Sequence, residues 1–249
     1  MIIHSFEPDA PGIVSLEPFY GPRGNLCNRC IVTFSRKILD KVLSGHDCRQ
    51  IAEIGACNGN VPIYALEYEG RTIAFYLSGI GSTLSATDVI EANWLTGAAK
   101  FVMFGSAGSL NGAATEGKYV IPEAAYRDEG MSYHYAAPAD YIAVPGAEKV
   151  AEVFSALGVP FVRGRAWTTD AVYRETRNQM LARAAEGCLA VEMELAGVQA
   201  VCDYHGFELY DFLMTGDVLD APEYDMSGLS RANHLPDNFR LALELAARV

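Results

Sequence analysis

Short apolar segments alternate with amphipathic helical segments along most of the 249 residues, and this alternation constrains the fold more than any other feature. Several strand-like segments, such as CIVTF from Cys30, are apolar on both faces and rich in β-branched or aromatic residues. A sheet built from such strands must be covered on both sides. The pattern therefore predicts an α/β fold, a three-layer α/β/α sandwich around a central mixed β-sheet.

No internal repeat or linker interrupts this alternation, so we expect residues 1–249 to form a single domain. The first residues differ from the rest because they contain several prolines and glycines and little periodicity. This composition predicts an irregular N-terminal arm over residues 1–28.

Composition excludes several classes of function. A formal net charge of -12 argues against a nucleic-acid partner and against acidic membranes, because both require a basic face. No segment reads as a leader or a membrane span, so a cytoplasmic protein is expected. The six cysteines are too few for a disulfide scaffold. Cys27 and Cys30 have a spacing found in metal sites, but the second close pair of a structural zinc site is missing, so we expect packed thiols and no metal.

Two glycine turns follow predicted strands, SGIGS at residues 78–82 and GSAGS at residues 105–109. In an open sheet, ligands bind beyond the carboxyl ends of the strands, and glycine allows backbone amides to approach an anion. Neither turn matches a dinucleotide fingerprint or a nucleotide P-loop. Each turn by itself is equally compatible with a tight connection.

Three carboxylates lie in apolar surroundings. Glu192 and Glu194 belong to the segment AVEMELAG, and Asp217 follows the predicted strand FLMT. Carboxylates are rarely buried without a partner, which favours a functional role. Glu192 at a helix start and Asp217 as a helix cap or turn residue are the structural alternatives.

Taken together and in order, these segments resemble the nucleoside phosphorylase and nucleosidase superfamily from about Ile31 to the C-terminus. The segments that carry the resemblance are SGIGS, FGSAGSL, GMSYHYAAP, WTTDAVYRE, AVEMELAG and MTGDVLD. The resemblance implies an enzyme that cleaves the N-glycosidic bond of a nucleoside, with inorganic phosphate as co-substrate and no cofactor. It also implies a role in nucleoside catabolism or purine salvage, and a homo-oligomer: a dimer, trimer or hexamer.

The resemblance also implies roles for individual residues. Asp217 becomes the general acid that protonates the departing base, which favours a purine, because uridine phosphorylases lack this aspartate. The other implied positions are Arg231 beside that acid; Glu194, Met193, Glu192 and His134 at the ribose; Ala107, Gly108, Val172 and Tyr173 at the base; and Arg36, Gly81, Ser82 and Ser106 at the phosphate.

The phosphate segment departs from the family pattern. The loop after the first strand lacks its glycine and keeps only Arg36, and Met103 stands where a second phosphate arginine is expected. Arg36 and Lys37 favour an anion over a water-activating base, so we predict phosphorolysis. A hydrolytic nucleosidase, a uridine phosphorylase and a catalytically silent nucleoside-binding protein are the alternatives.

Overall fold

A computed structural model describes residues 1–249 of the protein. The strands are β1 Arg29–Thr33, β2 Arg49–Ile54, β3 Val61–Tyr68, β4 Arg71–Leu77, β5 Lys100–Ser109, β6 Tyr119–Asp128, β7 Tyr141–Ala143, β8 Phe161–Thr169, β9 Cys188–Glu192 and β10 Glu208–Val218. The α-helices are α1 Glu17–Tyr20, α2 Arg36–Gly45, α3 Ser82–Thr96, α4 Gly112–Thr115, α5 Ser132–Tyr135, α6 Ala147–Leu157, α7 Arg177–Ala185, α8 Leu195–His205, α9 Leu229–His234 and α10 Asp237–Arg248.

All the strands belong to one mixed sheet, and β5 lies at its centre. Strand β5 runs parallel to β1 on one side and to β10 on the other, while β9 pairs antiparallel with its final residues. Strands β5, β10, β6, β8 and β9 pair in a closed ring, and β4, β3 and β2 extend the sheet beyond β1. The carboxyl ends of β1, β5 and β10 therefore meet at one edge.

Helices cover both faces of this sheet, which confirms the predicted three-layer sandwich. Alternate residues of β1 enter different cores: Cys30 and Val32 pack with α3 and α8, whereas Ile31 packs with α2, α6 and α10. Because successive side chains of a strand point to opposite faces, a strand that is apolar throughout requires both layers. None of the helices combines the length and the apolar character needed to cross a bilayer.

The segment AVEMELAG differs from the expected helix. Residues 188–192 form strand β9, and helix α8 begins only at Leu195. Strand β9 pairs with both β8 and β5, so sheet contacts override the helical preference of its alanine and leucine. The sequence also gave no sign of the short strand β7 or of helix α9.

The N-terminal residues contain only a 3-10 helix, Ile2–His4, and the short helix α1. The end of the arm is attached to α3, because the amide of Gly24 donates to the carbonyl of Trp94 and the Trp94 indole donates to Gly21. This attachment places Arg29 at the start of β1, in the middle of the sheet.

Asp211 is an unusual residue in the centre of β10. It is fully buried, shares its sheet face with Leu209 and Leu213, and neither carboxyl oxygen has a hydrogen-bond partner. Burial, together with the negative charges of Glu192 and Glu194, raises the pKa of Asp211 well above its ordinary value. Burial therefore favours the neutral, protonated form of this side chain in the folded protein.

The Asp211→Asn variant should be more stable than the wild type at pH 8, because an amide stays uncharged in this apolar site at any pH. Unfolding releases the Asp211 proton, so this group makes folding less favourable as pH rises above its unfolded pKa of about 3.9. Urea unfolding at pH 5 and pH 8 should show a smaller loss of stability with pH in the variant. Asp40→Asn, which changes an exposed carboxylate, is the control. An unchanged pH slope in Asp211→Asn would contradict the prediction.

Candidate active site

A cavity of about 440 Å³ opens at the edge where β1, β5 and β10 end. Its wall includes Thr33 at the end of β1, Ser106 on β5, Glu192 at the end of β9 and Asp217 on β10, and α9 closes one side. This volume is typical of sites for small molecules. The position agrees with the general rule that α/β sheets bind ligands beyond the carboxyl ends of their strands.

Glu194 lies on the cavity wall and is held by backbone amides. The N–H of Gly81 donates to Oε1 at 2.7 Å, and the N–H of Met193 donates to Oε2 at 3.3 Å. Burial raises the pKa of Glu194, and these two donors oppose the rise. Glu194 is only 9% exposed but lines the cavity, and its carboxylate oxygens keep lone pairs for hydroxyl donors there.

Close packing of α3 against α8 makes this contact possible. The Ser82 hydroxyl at the start of α3 donates to the carbonyls of Met193 at 3.1 Å and Glu194 at 3.3 Å. A Cβ atom at Gly197 would lie 2.6 Å from the Ser82 Cβ, which is closer than any packed side chain tolerates. Gly197 is therefore required where the two helices meet.

Glu192 stabilises the start of α8. Its Oε2 accepts from the N–H groups of Glu194 and Leu195, both at 2.7 Å, and Oε1 accepts from the Thr168 hydroxyl. Burial and the neighbouring Glu194 charge raise the pKa of Glu192 to about 8, although the three donors act in the opposite direction. All of its strong contacts are internal, so Glu192 supports Glu194 more than it faces a ligand.

Asp217 also lines the cavity, near the end of β10. The register of β10 against β5 shifts between Thr215 and Asp217, and this irregularity brings Asp217 level with Gly108. A Cβ at Gly108 would lie 3.3 Å from Asp217 Oδ2 and 2.6 Å from a Leu219 methyl, so only glycine fits here. Burial raises the pKa of Asp217.

Two further side chains surround Asp217. The Tyr224 hydroxyl donates to Asp217 Oδ2 at 2.9 Å. Burial and the Asp217 charge raise the pKa of Glu175 to about 7. The guanidinium of Arg177 donates to the carbonyls of Leu219 and Ala221, which fixes the loop that carries Tyr224. Burial therefore favours the protonated form of both acidic groups, Glu175 and Asp217.

The other end of the cavity is lined by neutral polar groups. Ser35 Oγ and His234 Nδ1 are 2.9 Å apart, and the Ser106 hydroxyl donates to Asn233 Oδ1. Ser35 also caps α2, because its Oγ accepts from the N–H of Ile38 at 3.3 Å. We name Ser35, Ser106, Asn233 and His234 the serine–histidine end.

The structure brings most of the residues proposed from the sequence to this one cavity. Those on its wall are Glu192, Met193, Glu194, Ser106, Ala107, Gly108, Val172 and Asp217. Those outside the wall are Arg36, Gly81, Ser82, His134, Tyr173 and Arg231. Tyr173 is 98% exposed, and His134 and Arg231 are also at the surface.

Three of the four residues expected at phosphate are engaged elsewhere. The Arg36 side chain is 65% exposed and forms an ion pair with Asp40 on the next helical turn. Gly81 and Ser82 hold the segment of Glu194, so a carboxylate of the protein already occupies the amino terminus of α3. An anion-binding helix start is thereby satisfied within the chain.

Sequence reasoning missed Ser35, Asn233, His234, Glu175 and Tyr224 as wall residues. Ser35 directly precedes Arg36, and Glu175 ends the quoted segment WTTDAVYRE, so both stood beside recognised residues. His234 gave no local signal, because it reaches the cavity from a helix that the sequence pattern did not predict.

The charge of the cavity wall is one-sided. Four carboxyl side chains line it, Glu175, Glu192, Glu194 and Asp217, and no lysine or arginine does. No group of three or more His, Cys, Asp or Glu side chains is arranged to hold a metal ion. The six cysteines are free thiols, and Cys30 is buried in the core.

Comparison with known proteins identifies the family of this chain. The sequence model described as "Phosphorylase superfamily" matches residues 41–249. The chain belongs to the phosphorylase superfamily. It is accordingly an enzyme of the nucleoside phosphorylase and nucleosidase type, as the sequence motifs predicted.

Individual relatives of this superfamily member are distant. It is 27% identical over 192 residues, 73% of this chain and 78% of the relative, to a DeoD-type purine nucleoside phosphorylase of Exiguobacterium sp.. Identity is also 27% over 187 residues to the DeoD-type enzyme of Colwellia psychrerythraea, with the same coverage of both chains.

Solved structures resemble this superfamily member in fold, although the sequence identity is low. A mutant of futalosine hydrolase from Helicobacter pylori strain 26695 superposes with a TM-score of 0.72 at 16% identity, covering 90% of this chain and 100% of that one. The native enzyme gives a TM-score of 0.69 at 18% identity, covering 88% and 97%. These likenesses support the three-layer fold.

Glu192→Ala should destabilise the protein by about 2 kcal/mol, because two buried backbone N–H groups lose their acceptor. Glu192→Gln keeps an oxygen acceptor and should lose less than half as much. Urea unfolding at pH 7 measures both changes, with Glu186→Ala as a control at a more exposed carboxylate. Equal losses in the alanine and glutamine variants would mean that the charge, and not the acceptor oxygen, stabilises the start of α8.

Proposed function

We propose that this enzyme is a nucleosidase, which hydrolyses the N-glycosidic bond of a purine nucleoside to the free base and ribose. The observation that carries the proposal is the pairing of Glu194 and Asp217 on one cavity wall that contains no cationic side chain. Each part of the reaction has a matching group in the cavity.

Glu194 is suited to bind the ribose. Gly81 and Met193 fix its carboxylate by donating to one oxygen each, and neither group competes for the remaining lone pairs. A carboxylate only accepts hydrogen bonds, so it selects a ligand with paired hydroxyl donors. The 2′- and 3′-hydroxyls of a ribose meet this requirement.

Asp217 is suited to protonate the departing base. Cleavage of the glycosidic bond places negative charge on the heterocycle and positive charge on the sugar ring. Burial raises the pKa of Asp217, which favours the protonated form that can donate to N7 of a purine. The carboxylate of Glu194 favours the cationic sugar.

The charge of the wall favours water over phosphate as the nucleophile. At an effective dielectric constant of about 20, two like unit charges about 6 Å apart repel by roughly 3 kcal/mol. A phosphate dianion would face this repulsion from an ionised Glu194 without an arginine on the wall to offset it, since Arg36 is paired with Asp40 at the surface. Water carries no such cost. The fold accommodates hydrolysis, since similar solved structures are named futalosine hydrolase.

Phosphorolysis is the second candidate. Its support is the identity of 27% to two enzymes that are named purine nucleoside phosphorylases. In this reaction Ser106 would donate its hydroxyl to phosphate, and the product would be ribose 1-phosphate. The two candidates share the roles of Glu194 and Asp217 and differ only in the nucleophile.

The rate of base release should be the same, within about twofold, in the presence and in the absence of phosphate. The phosphate concentration is about 50 mM, which gives an ionic strength near the physiological value. The assay uses inosine, adenosine, uridine and methylthioadenosine, with sodium chloride replacing phosphate at equal ionic strength. Chromatography distinguishes ribose from ribose 1-phosphate. Base release that requires phosphate would establish phosphorolysis instead, and release from uridine alone would contradict the purine assignment.

Asp217→Asn should lower kcat by roughly 10²- to 10⁴-fold with little change in KM, because the amide has no proton to give to the leaving base. Wild-type kcat should fall as pH rises through the elevated pKa of Asp217, and Asp217→Asn should lack this decline. Asp225→Asn, which changes an exposed carboxylate in the same loop, is the control. A full rate for Asp217→Asn would rule out its role as the acid.

Glu194→Gln should chiefly raise KM, since the amide replaces one hydroxyl acceptor with a donor.

A further inference from the structure

The cavity has two ends, on opposite sides of β5. Strand β1, which leads to Ser35, flanks β5 on one side, and β10, which carries Asp217, flanks it on the other. Two strand spacings separate them, about 10 Å. A nucleoside whose base lies at Asp217 therefore extends its sugar toward the serine–histidine end. Water that displaces the base must approach the anomeric carbon from the side away from the base, and thus from this end.

His234 is held in a fixed orientation at the serine–histidine end. It is the last residue of α9, is half-buried, and its Nδ1 lies 2.9 Å from Ser35 Oγ. A serine oxygen has two acceptor lone pairs. One receives the N–H of Ile38 at 3.3 Å, and the other can receive Nδ1–H of His234. In this tautomer Nε2 keeps a free lone pair.

The other groups on the wall are unsuited to accept a proton from this water. Glu192 is engaged by three internal donors. Glu194 is held by two backbone amides and is assigned to the sugar hydroxyls. Glu175 shares the base end with Asp217. Since the wall has no lysine, His234 is the basic side chain that stands opposite the acid.

We propose that His234, oriented by Ser35, is the general base that activates the attacking water; this inference rests on the hydrolytic function proposed above. The water oxygen bonds to C1′ of the ribose as its proton passes to His234 Nε2. The C1′–N bond breaks, its electron pair leaves with the heterocycle, and the heterocycle takes the proton of Asp217. The products are ribose and free base, and solvent then removes the proton from His234 and returns one to Asp217.

His234→Ala and His234→Gln should lower kcat for hydrolysis by roughly 10²- to 10³-fold, with KM changed by less than about threefold. Imidazole at about 50 mM should raise kcat of His234→Ala at least tenfold, because a diffusible base can occupy the volume that the histidine ring leaves. His46→Ala, at the exposed end of α2, should show neither effect. Circular dichroism and thermal unfolding confirm that each variant is folded; if His234→Ala is not, His234→Gln carries the test through kcat and KM.

Ser35 variants test the positioning role separately. Ser35→Thr retains the oxygen that accepts from Ile38 and His234 and should keep near wild-type kcat. Ser35→Ala should lose about tenfold in kcat without rescue by imidazole, and its melting temperature should fall because the helix cap is lost. Equal kcat values for Ser35→Ala and Ser35→Thr would overturn the role of Ser35.

The assay of the wild type in phosphate-free buffer separates the two proposals. If base release there is absent, the hydrolytic function fails, whatever the His234 variants do. If the wild type hydrolyses its substrate and His234→Ala keeps the same kcat, only the role of His234 fails. A rise in KM at constant kcat also overturns that role, because it assigns His234 to binding.

Discussion

The contact between the Glu194 carboxylate and the Gly81 amide is the interaction on which the site depends. It joins the amino termini of α3 and α8, which both project positive backbone dipoles toward one point. A carboxylate is the natural group to neutralise that field. The protein thus supplies its own anion where a helix start would otherwise attract one from solvent. The same contact fixes Glu194 in the cavity and withdraws Gly81 from the wall.

The layered fold could be predicted from the sequence because its signal is local. A strand such as β1, apolar at every position, can lie only between two helical layers, and the structure places Ile31 and Val32 in different cores. The closed ring of strands could not be predicted in this way. It depends on the pairing of β10 with both β5 and β6, and pairing between distant strands leaves no trace in the periodicity of one segment.

The residues of the candidate site also fall into those that a local segment identifies and those that only the fold brings together. Glu194 and Asp217 could be identified because each stands in a short recognisable segment at the end of a strand, where topology brings such residues together. Arg36 shows the limit of this reasoning. Arg36 follows β1 in the chain, as a phosphate-binding residue of the family would. It lies in the first turn of α2, however, where its side chain contacts Asp40 and solvent. His234 is 199 residues from its partner Ser35, so only the folded chain reveals their contact.

The overall charge of the chain gave little guidance, since a net charge of -12 is compatible with a local site for either sign. The distribution of charge in the cavity is more informative. Acidic groups stand on its wall from Glu175 to Glu194, and the opposite end contributes hydroxyls, an amide and an imidazole. Such a wall contains no lysine or arginine to offset the charge of any carboxyl group that ionises. The wall is acidic partly because cationic residues are missing beside β1 and β5. Met103 is buried in the core and the Arg36 side chain lies in solvent, so no lysine or arginine offsets the carboxyl groups of the cavity.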